Sequence, residues 1–128
     1  MQATILTVDD EGDVLGLIRF HLAKEGYNVL MAGTGQEALD LIRAKRPDLV
    51  LLDLMLPDID GFGVCEILRS HPATAAIPIV IVSAWGTRDS LNLGLELGAL
   101  DYLTKPFSPK DLVDRVQRLL SPQGSPNK

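Results

Sequence analysis

The chain has 128 residues, of which 46% are hydrophobic and 23% charged, and its formal net charge is −5. This length and composition predict one globular domain and argue against a disordered or membrane-spanning chain. The negative charge argues against nucleic-acid binding through this domain, because phosphate contacts need clustered Lys and Arg, whereas acidity suits divalent cations.

The sequence shows no sign of a membrane or secretory segment. No run approaches the roughly 20 apolar residues of a transmembrane helix, and no basic region precedes an apolar one at the N-terminus. We therefore expect a cytoplasmic protein that does not contact membranes. The single cysteine, Cys65, cannot form an internal disulfide, and we interpret it as a small buried hydrophobe on a helix.

Apolar runs typical of strands alternate along the chain with stretches of helical periodicity. In chain order, we predict a strand at 3–8, a helix at 12–26, a strand at 27–31, a helix at 34–46, a strand at 49–53, a helix at 61–71, a strand at 77–82, a helix at 88–97, a strand at 101–104 and a helix at 108–120. This alternation predicts an α/β fold with a five-stranded parallel sheet that is covered by helices on both faces.

Cap and turn residues mark the ends of several helices. Thr34 and Ser108 are suited to cap the second and fifth helices, and Gly26 supplies a stop for the first. We assign one domain to residues 1–120. The Ser-, Pro- and Gly-rich residues 121–128 have the composition of a flexible tail or the start of a linker.

The fourth predicted helix carries more leucine than a surface helix needs. Leu91 and Leu95 form one stripe, and Leu93, Leu97 and Leu100 lie on nearly the opposite side. We expect one stripe to pack on the sheet. The other stripe is either partly shielded by loops or an apolar contact patch for a partner or a second copy of the chain.

The most informative stretch is residues 48–61, Asp-Leu-Val-Leu-Leu-Asp-Leu-Met-Leu-Pro-Asp-Ile-Asp-Gly. Its first half suits a strand buried on both faces, and Asp53 would lie at the carboxyl end of that central strand. Open parallel sheets bind their ligands at this edge. Asp53 is therefore a candidate for chemistry rather than for packing.

Four predicted strands end in residues that can perform chemistry, and the carboxyl ends of parallel strands meet at one edge of a sheet. These residues are Asp9, Asp10, Asp53, Ser83 and Lys105. The carboxylates predict a site for a hard cation such as Mg²⁺. Beside it, Asp53 would act as a nucleophile toward phosphorus and form an aspartyl phosphate. Lys105 would neutralise one phosphoryl oxygen, and the Ser83 hydroxyl would hydrogen-bond another.

Four motifs and their spacing resemble the receiver domain of two-component response regulators. They are Asp-Asp-Glu at 9–11, Leu-Leu-Asp-Leu-Met-Leu-Pro-Asp-Ile-Asp-Gly at 51–61, Ser-Ala at 83–84 and Asp-Tyr-Leu-Thr-Lys-Pro-Phe at 101–107. The resemblance extends over residues 3–120. It implies the flavodoxin-like fold of CheY-like proteins, a doubly wound sheet with strand order 2-1-3-4-5 and five helices.

The resemblance implies that Asp53 accepts a phosphoryl group from a histidine kinase or a phosphotransfer protein. Asp10, Asp53 and the backbone carbonyl of Met55 would bind Mg²⁺, and Asp9 would act mainly through a bound water. In this interpretation the protein is a signalling switch. It is not an enzyme, since it catalyses only its own phosphoryl transfer and slow self-dephosphorylation.

The resemblance also implies how the domain would switch. Ser83 moves toward the phosphoryl group, Tyr102 rotates inward, and the face of the fourth helix, fifth strand and fifth helix changes to regulate a partner, a second copy or an output domain. Met55 and Trp85 occupy the rate-tuning positions of the family, and neither side chain can orient a water by hydrogen bonding, so we expect slow self-dephosphorylation. The Lys105–Pro106 bond corresponds to a cis peptide of the family.

Three other functions are alternatives to a switch that is activated by phosphorylation. A phosphatase of the haloacid dehalogenase type would carry a second Asp two residues after the nucleophile, where this chain has Met55. A flavin carrier would need a phosphate loop rich in Ser, Thr and Gly where this chain has the acidic residues 9–11. A receiver-like interaction module that is never phosphorylated is disfavoured by the complete set of acceptor, acids, hydroxyl and lysine, but it stays open.

Overall fold

The computed structural model describes residues 2–121, which form five strands and five helices. In chain order these are β1 (Thr4–Val8), α1 (Gly12–Lys24), β2 (Asn28–Ala32), α2 (Gly35–Lys45), β3 (Leu49–Leu52), α3 (Gly61–Arg69), β4 (Ile79–Ser83), α4 (Arg88–Glu96), β5 (Asp101–Thr104) and α5 (Pro109–Leu120). None of these helices has the length and apolar character needed to cross a membrane. Apart from Ser121, the tail predicted at 121–128 lies outside the described residues.

All five strands run parallel, in the order β2-β1-β3-β4-β5. The central strand β3 pairs with β1 on one side and β4 on the other, and all of its residues are buried. The α/β fold and the strand order 2-1-3-4-5 are thereby confirmed. The predicted elements all occur, with ends displaced by at most two residues, and β3 ends at Leu52, so that Asp53 directly follows it.

Alternate residues of each strand face opposite sides of the sheet and build two apolar layers. In β3, Val50 and Leu52 pack with α2 and α3, whereas Leu49 and Leu51 pack with α1 and α5. Cys65 of α3 is buried in the first layer, as predicted, and burial raises the pKa of its thiol to about 11. A smaller cluster beside α4 contains Leu54, Ile81, Ala99 and Tyr102.

The packing of α4 differs from the sequence prediction. Gly94 faces the sheet, and a β-carbon there would lie only 2.6 Å from Ile81 Cδ1. Leu91 and Leu97 are partly buried against the core. The exposed leucines are Leu93, Leu95 and Leu100. The prediction that one leucine stripe packs as a unit was wrong, because α4 approaches the sheet along a glycine, which a hydrophobic pattern does not reveal.

Four helices begin with a side chain that accepts a hydrogen bond from the backbone N–H three residues later. These caps are Thr34 for α2, Asp60 for α3, Thr87 for α4 and Ser108 for α5. The predicted caps at Thr34 and Ser108 are confirmed. Because α2, α3 and α4 follow the carboxyl ends of β2, β3 and β4, their caps hold the loops that surround this edge of the sheet.

Candidate functional site

The carboxyl ends of β1, β3, β4 and β5 converge at one edge of the sheet, as predicted. Asp9 and Asp10 directly follow β1, and Asp53 directly follows β3. Ser83 is the last residue of β4, and Lys105 directly follows β5. The strand ends are held in register there, since the Lys105 N–H donates to the Ser83 carbonyl at 2.8 Å. The fold therefore brings all five predicted residues to one edge.

Three carboxylates form a compact group at this edge, which we call the acid cluster. Asp9, Asp10 and Asp53 each place a carboxylate oxygen within 4.8 Å of the others. Asp9 and Asp53 are only 2% and 4% exposed, whereas Asp10 is exposed to solvent. The acid cluster thus concentrates negative charge where water screens it poorly.

Lys105 partly neutralises the acid cluster. Its Nζ lies 2.6 Å from Asp9 Oδ2 and 3.4 Å from Asp53 Oδ2, and Glu11 Oε1 is 3.6 Å away. Burial alone would lower the pKa of Lys105, but its hydrogen bond to Asp9 and the negative charges of Asp53 and Asp9 together raise it. The ammonium is therefore charged, and it is bound more closely to Asp9 than to Asp53.

The surroundings of Asp53 disfavour its charged form. Burial and then the charge of Asp9 raise the pKa of Asp53, and the charge of Lys105 and a 3.4 Å hydrogen bond from the Met55 N–H oppose this only in part. Asp53 borders a cleft of about 370 Å³. The other residues that line this cleft are Asp10, Glu11, Met55, Ala84 and Lys105. A reactant in this cleft would therefore meet Asp53 beside Asp10 and Lys105.

The donor set of the acid cluster fits a small, hard cation. All of its side chains offer carboxylate oxygens, and Mg²⁺ prefers oxygen ligands, commonly taking one or two protein carboxylates and several waters. Among the described residues, the acid cluster places three carboxyl groups beside a single ammonium, that of Lys105. Asp9, Asp10 and Asp53 are therefore the residues that would hold Mg²⁺. The carbonyl of Met55 stays a prediction as a further ligand.

Ser83, Trp85 and Tyr102 are linked by hydrogen bonds beside the acid cluster. The buried Ser83 Oγ accepts a hydrogen bond from the Trp85 N–H at 3.2 Å. The Tyr102 hydroxyl donates to the Trp85 carbonyl, and the tyrosine ring is buried near Gly94 of α4. Tyr102 thus already has the inward position that we expected it to take after phosphorylation. Trp85 is 41% exposed and does not line the cleft.

Two acidic residues near the site belonged to the predicted motifs but had no role of their own in the sequence prediction. Glu11 lies close to Lys105, and Asp58 accepts hydrogen bonds from the backbone N–H groups of Gly35 and Gln36. Acidic residues after a strand are typical of turns and helix caps, and that signal was present at 58–60. The distant partners of Asp58 depend on how the loop meets α2, which residue spacing does not show.

Comparisons with known proteins agree on one family. The family model described as the response regulator receiver domain matches residues 5–117. The alkaline phosphatase synthesis transcriptional regulatory protein PhoP of Bacillus subtilis is 43% identical over 120 residues, which make up 94% of this chain and 49% of PhoP. The DNA-binding response regulator MtrA of Mycobacterium tuberculosis is 45% identical over 120 residues, or 94% of this chain and 51% of MtrA. The chain therefore spans about half the length of the curated relatives it matches.

A solved structure supports the same relationship. The chemotaxis response regulator CheY4 of Vibrio cholerae superimposes with a TM-score of 0.88 at 29% sequence identity. The match covers 94% of this chain and 100% of the CheY4 chain. The similarity therefore extends over the sheet, its helices and the edge that carries the acid cluster.

Proposed function

This chain belongs to the response regulator receiver domain family, and from that membership we propose that it is a signalling switch controlled by phosphorylation of Asp53. The observation that supports this most directly is the setting of Asp53, which is buried, has a raised pKa and borders the cleft beside Lys105. We propose a histidine kinase or a phosphotransfer protein as the donor, Mg²⁺ as the cofactor and residues 1–120 as the functional domain.

The proposed transfer forms an acyl phosphate on Asp53. A carboxylate oxygen of Asp53 attacks the phosphorus of a phosphohistidine, the P–O bond forms as the P–N bond breaks, and the imidazole leaves with the electron pair and takes up a proton from solvent. Lys105 gives up its loose contact with Asp53 and instead contacts one phosphoryl oxygen. The Ser83 hydroxyl donates a hydrogen bond to another phosphoryl oxygen. When bound, Mg²⁺ would neutralise charge on the phosphoryl oxygens.

The proposed switch acts through the Ser83–Trp85–Tyr102 hydrogen bonds. When Ser83 turns its hydroxyl toward the phosphoryl group, the segment after β4 is drawn toward Asp53. Because the Tyr102 ring is already buried, we propose that phosphorylation stabilises this inward arrangement rather than creating it. A partner that prefers the resulting face of α4, β5 and α5 would then shift the population further.

The proposed output of the switch is a contact made by the face of α4, β5 and α5. PhoP is named as a transcriptional regulatory protein and MtrA as a DNA-binding response regulator, and this chain matches about half of each. We propose that the domain acts through this face on a partner, a second copy or an output domain. Its net charge of −5 disfavours direct contact with nucleic acid.

The test uses Trp85, the only tryptophan of the chain, as a reporter. With Mg²⁺ present, acetyl phosphate is expected to change the tryptophan fluorescence and to add one phosphoryl group by intact mass. Asp53→Ala should show neither response, whereas Asp40→Ala, which removes an exposed carboxylate on α2, should respond like the wild type. A wild-type chain that acquires no phosphoryl group would favour the unphosphorylated interaction module.

The lifetime of the phosphoryl group is measured with the same phosphoprotein. Met55 lines the cleft with a thioether that cannot orient an attacking water, and we propose that self-dephosphorylation is therefore slow. Met55→Asn should speed the loss of the added mass. Trp85→Ala should have a smaller effect, because the indole does not line the cleft. An unchanged or slower loss in Met55→Asn would contradict this proposal.

A further inference from the structure

Asp58 joins the loop after β3 to the first turn of α2. Its Oδ1 accepts a hydrogen bond from the Gly35 N–H at 2.8 Å, and its Oδ2 accepts one from the Gln36 N–H at 2.9 Å. N–H groups in the first turn of a helix have no acceptor within the helix, so a carboxylate from elsewhere satisfies them. These two bonds, the one from Gln36 most strongly, lower the pKa of Asp58 and keep it charged.

Gly35 allows the loop to lie this close to α2. A β-carbon at Gly35 would be 3.0 Å from Ile59 Cβ and 3.3 Å from Asp58 Oδ1. The first of these distances is shorter than ordinary van der Waals contact between carbon atoms. The approach of the loop to α2 therefore depends both on a missing side chain in α2 and on a carboxylate in the loop.

The strand that precedes α2 is joined through the backbone to the acid cluster. The Asp9 N–H donates to the Ala32 carbonyl at 3.0 Å, three residues before Gly35. Asp9 is thus joined to the last residue of β2, which precedes the turn into α2, and Asp58 joins α2 to the loop that follows Asp53.

Hydrogen bonds other than those of Asp58 do little to hold the loop of residues 54–60. Within residues 2–121, both hydrogen bonds that join this loop to anything beyond Asp53 and α3 are accepted by Asp58. Leu54 is fully buried in the cluster beside α4, and Leu56 and Ile59 add apolar contacts with the core. Such contacts are not directional, so they do not fix the orientation of the backbone as hydrogen bonds do.

We infer that Asp58 is a positioning residue for the proposed metal site. By holding the loop to α2, its carboxylate fixes the backbone of Met55 in the cleft relative to the acid cluster. The inference rests on the proposed function, in which the Met55 carbonyl is a ligand of Mg²⁺. Asp58 itself contacts neither the metal nor the phosphoryl group.

The test compares Asp58→Ala with Thr34→Ala in the full chain. Thr34 caps the same helix by accepting a hydrogen bond from the Glu37 N–H at 3.0 Å, so its loss weakens the start of α2 without touching the loop. By isothermal titration with MgCl₂, Asp58→Ala is expected to weaken binding about 10-fold, the low end of what supporting residues contribute to metal affinity. Asp58→Asn keeps one acceptor oxygen, and its affinity for Mg²⁺ should lie between those of the wild type and Asp58→Ala. Thr34→Ala should bind like the wild type, and wild-type affinity in Asp58→Ala would overturn the inference.

Amide hydrogen exchange in chelator tests the positioning role without the metal. Asp58→Ala should speed exchange at residues 55–61, and Thr34→Ala should leave this segment unchanged. Unchanged exchange in Asp58→Ala would overturn the positioning role, whatever the metal affinity. A wild-type chain that binds no Mg²⁺ would instead overturn the metal site of the proposed function, while the exchange comparison would still decide whether Asp58 holds the loop.

Discussion

Lys105 reaches two buried carboxylates, and its distances to them decide what each carboxylate does. The contact with Asp9 is short, at 2.6 Å, whereas that with Asp53 is 3.4 Å. The ammonium therefore serves mainly as the partner of Asp9, and Asp53 keeps a raised pKa. In the proposed function, this arrangement leaves Asp53 weakly engaged, while Lys105 would be close enough to contact a phosphoryl group attached to it.

Lys105→Met is expected to destabilise the protein in chelator by on the order of 2 kcal/mol, because Asp9 and Asp53 would remain buried without a cation. This is less than the roughly 3–5 kcal/mol of a fully buried pair, because the cleft admits water. Lys110→Met is the control, since Lys110 makes an equally direct but exposed contact of 2.8 Å with Asp114 and should leave stability unchanged. Urea denaturation measures both, and equal midpoints for the two variants would contradict the role assigned to Lys105.

The resemblance implied different metal contacts for Asp9 and Asp10, but the sequence did not predict how their burial differs. Asp9 is buried and bound to Lys105, whereas Asp10 is exposed. Strand alternation normally assigns neighbouring residues to opposite faces, but β1 ends at Val8, and alternation is no guide beyond a strand end. The roles of the two residues follow from the direction in which the chain leaves β1.

At the scale of secondary-structure elements, α4 is placed by a glycine. An alanine methyl at position 94 would lie 2.6 Å from Ile81 Cδ1 and 3.4 Å from Tyr102 Cδ2. Ile81 is fully buried and has little room to give way. The distance between α4 and the sheet, and with it the space for the Tyr102 ring, therefore depends on the absence of a side chain.

Gly94→Ala is expected to lower stability, although alanine favours helices. Overpacking a core costs about 1–3 kcal/mol, and the helix preference of alanine offsets about 1 kcal/mol, so a net loss of about 1 kcal/mol is expected. Gly16→Ala is the matched control in α1, because nothing lies within 4 Å of a β-carbon there. It should raise stability by about 0.5–1 kcal/mol. Chemical denaturation of both variants checks the opposite signs, and a stabilised Gly94→Ala would refute this account of α4.

Sequence prediction located the helices and strands, but not the contacts that depend on how they pack together. Periodicity and turn residues located all the elements, because burial on one side of a helix or on both faces of a strand leaves a pattern along the chain. The contact of Asp58 with Gly35 spans 23 residues and depends on the packing of two elements. The approach of Gly94 to Ile81 likewise depends on tertiary packing. Such contacts leave no local pattern.

For the whole molecule, the acid cluster lowers the stability of the metal-free protein. The raised pKa of Asp53, due first to burial and then to the charge of Asp9, means that the folded protein holds this proton to higher pH than the unfolded chain does. The charged Asp53 therefore costs stability above its folded-state pKa. That cost disappears as the pH falls below the ordinary value of 3.8. A bound cation would relieve the same cost at neutral pH.

Substitutions in the acid cluster should consequently change stability differently in chelator and in Mg²⁺. In chelator at neutral pH, Asp53→Asn is expected to be more stable than the wild type, because it removes a buried charge while the ion pair between Lys105 and Asp9 remains. At Mg²⁺ ten times above the dissociation constant, the wild type should gain about 1.4 kcal/mol, because the metal binds only the folded state.

Asp53→Asn and Asp10→Asn should each lose most of the stability that Mg²⁺ adds to the wild type, because each lacks one of the proposed carboxylate ligands. Asp10 is exposed, so Asp10→Asn should match the wild type in chelator and yet gain little from Mg²⁺. Paired urea denaturation curves in EDTA and in MgCl₂ measure each difference. An Asp53→Asn variant that is less stable than the wild type in EDTA would show that Lys105 compensates the acid cluster fully. A full Mg²⁺ gain in Asp10→Asn would exclude Asp10 as a ligand.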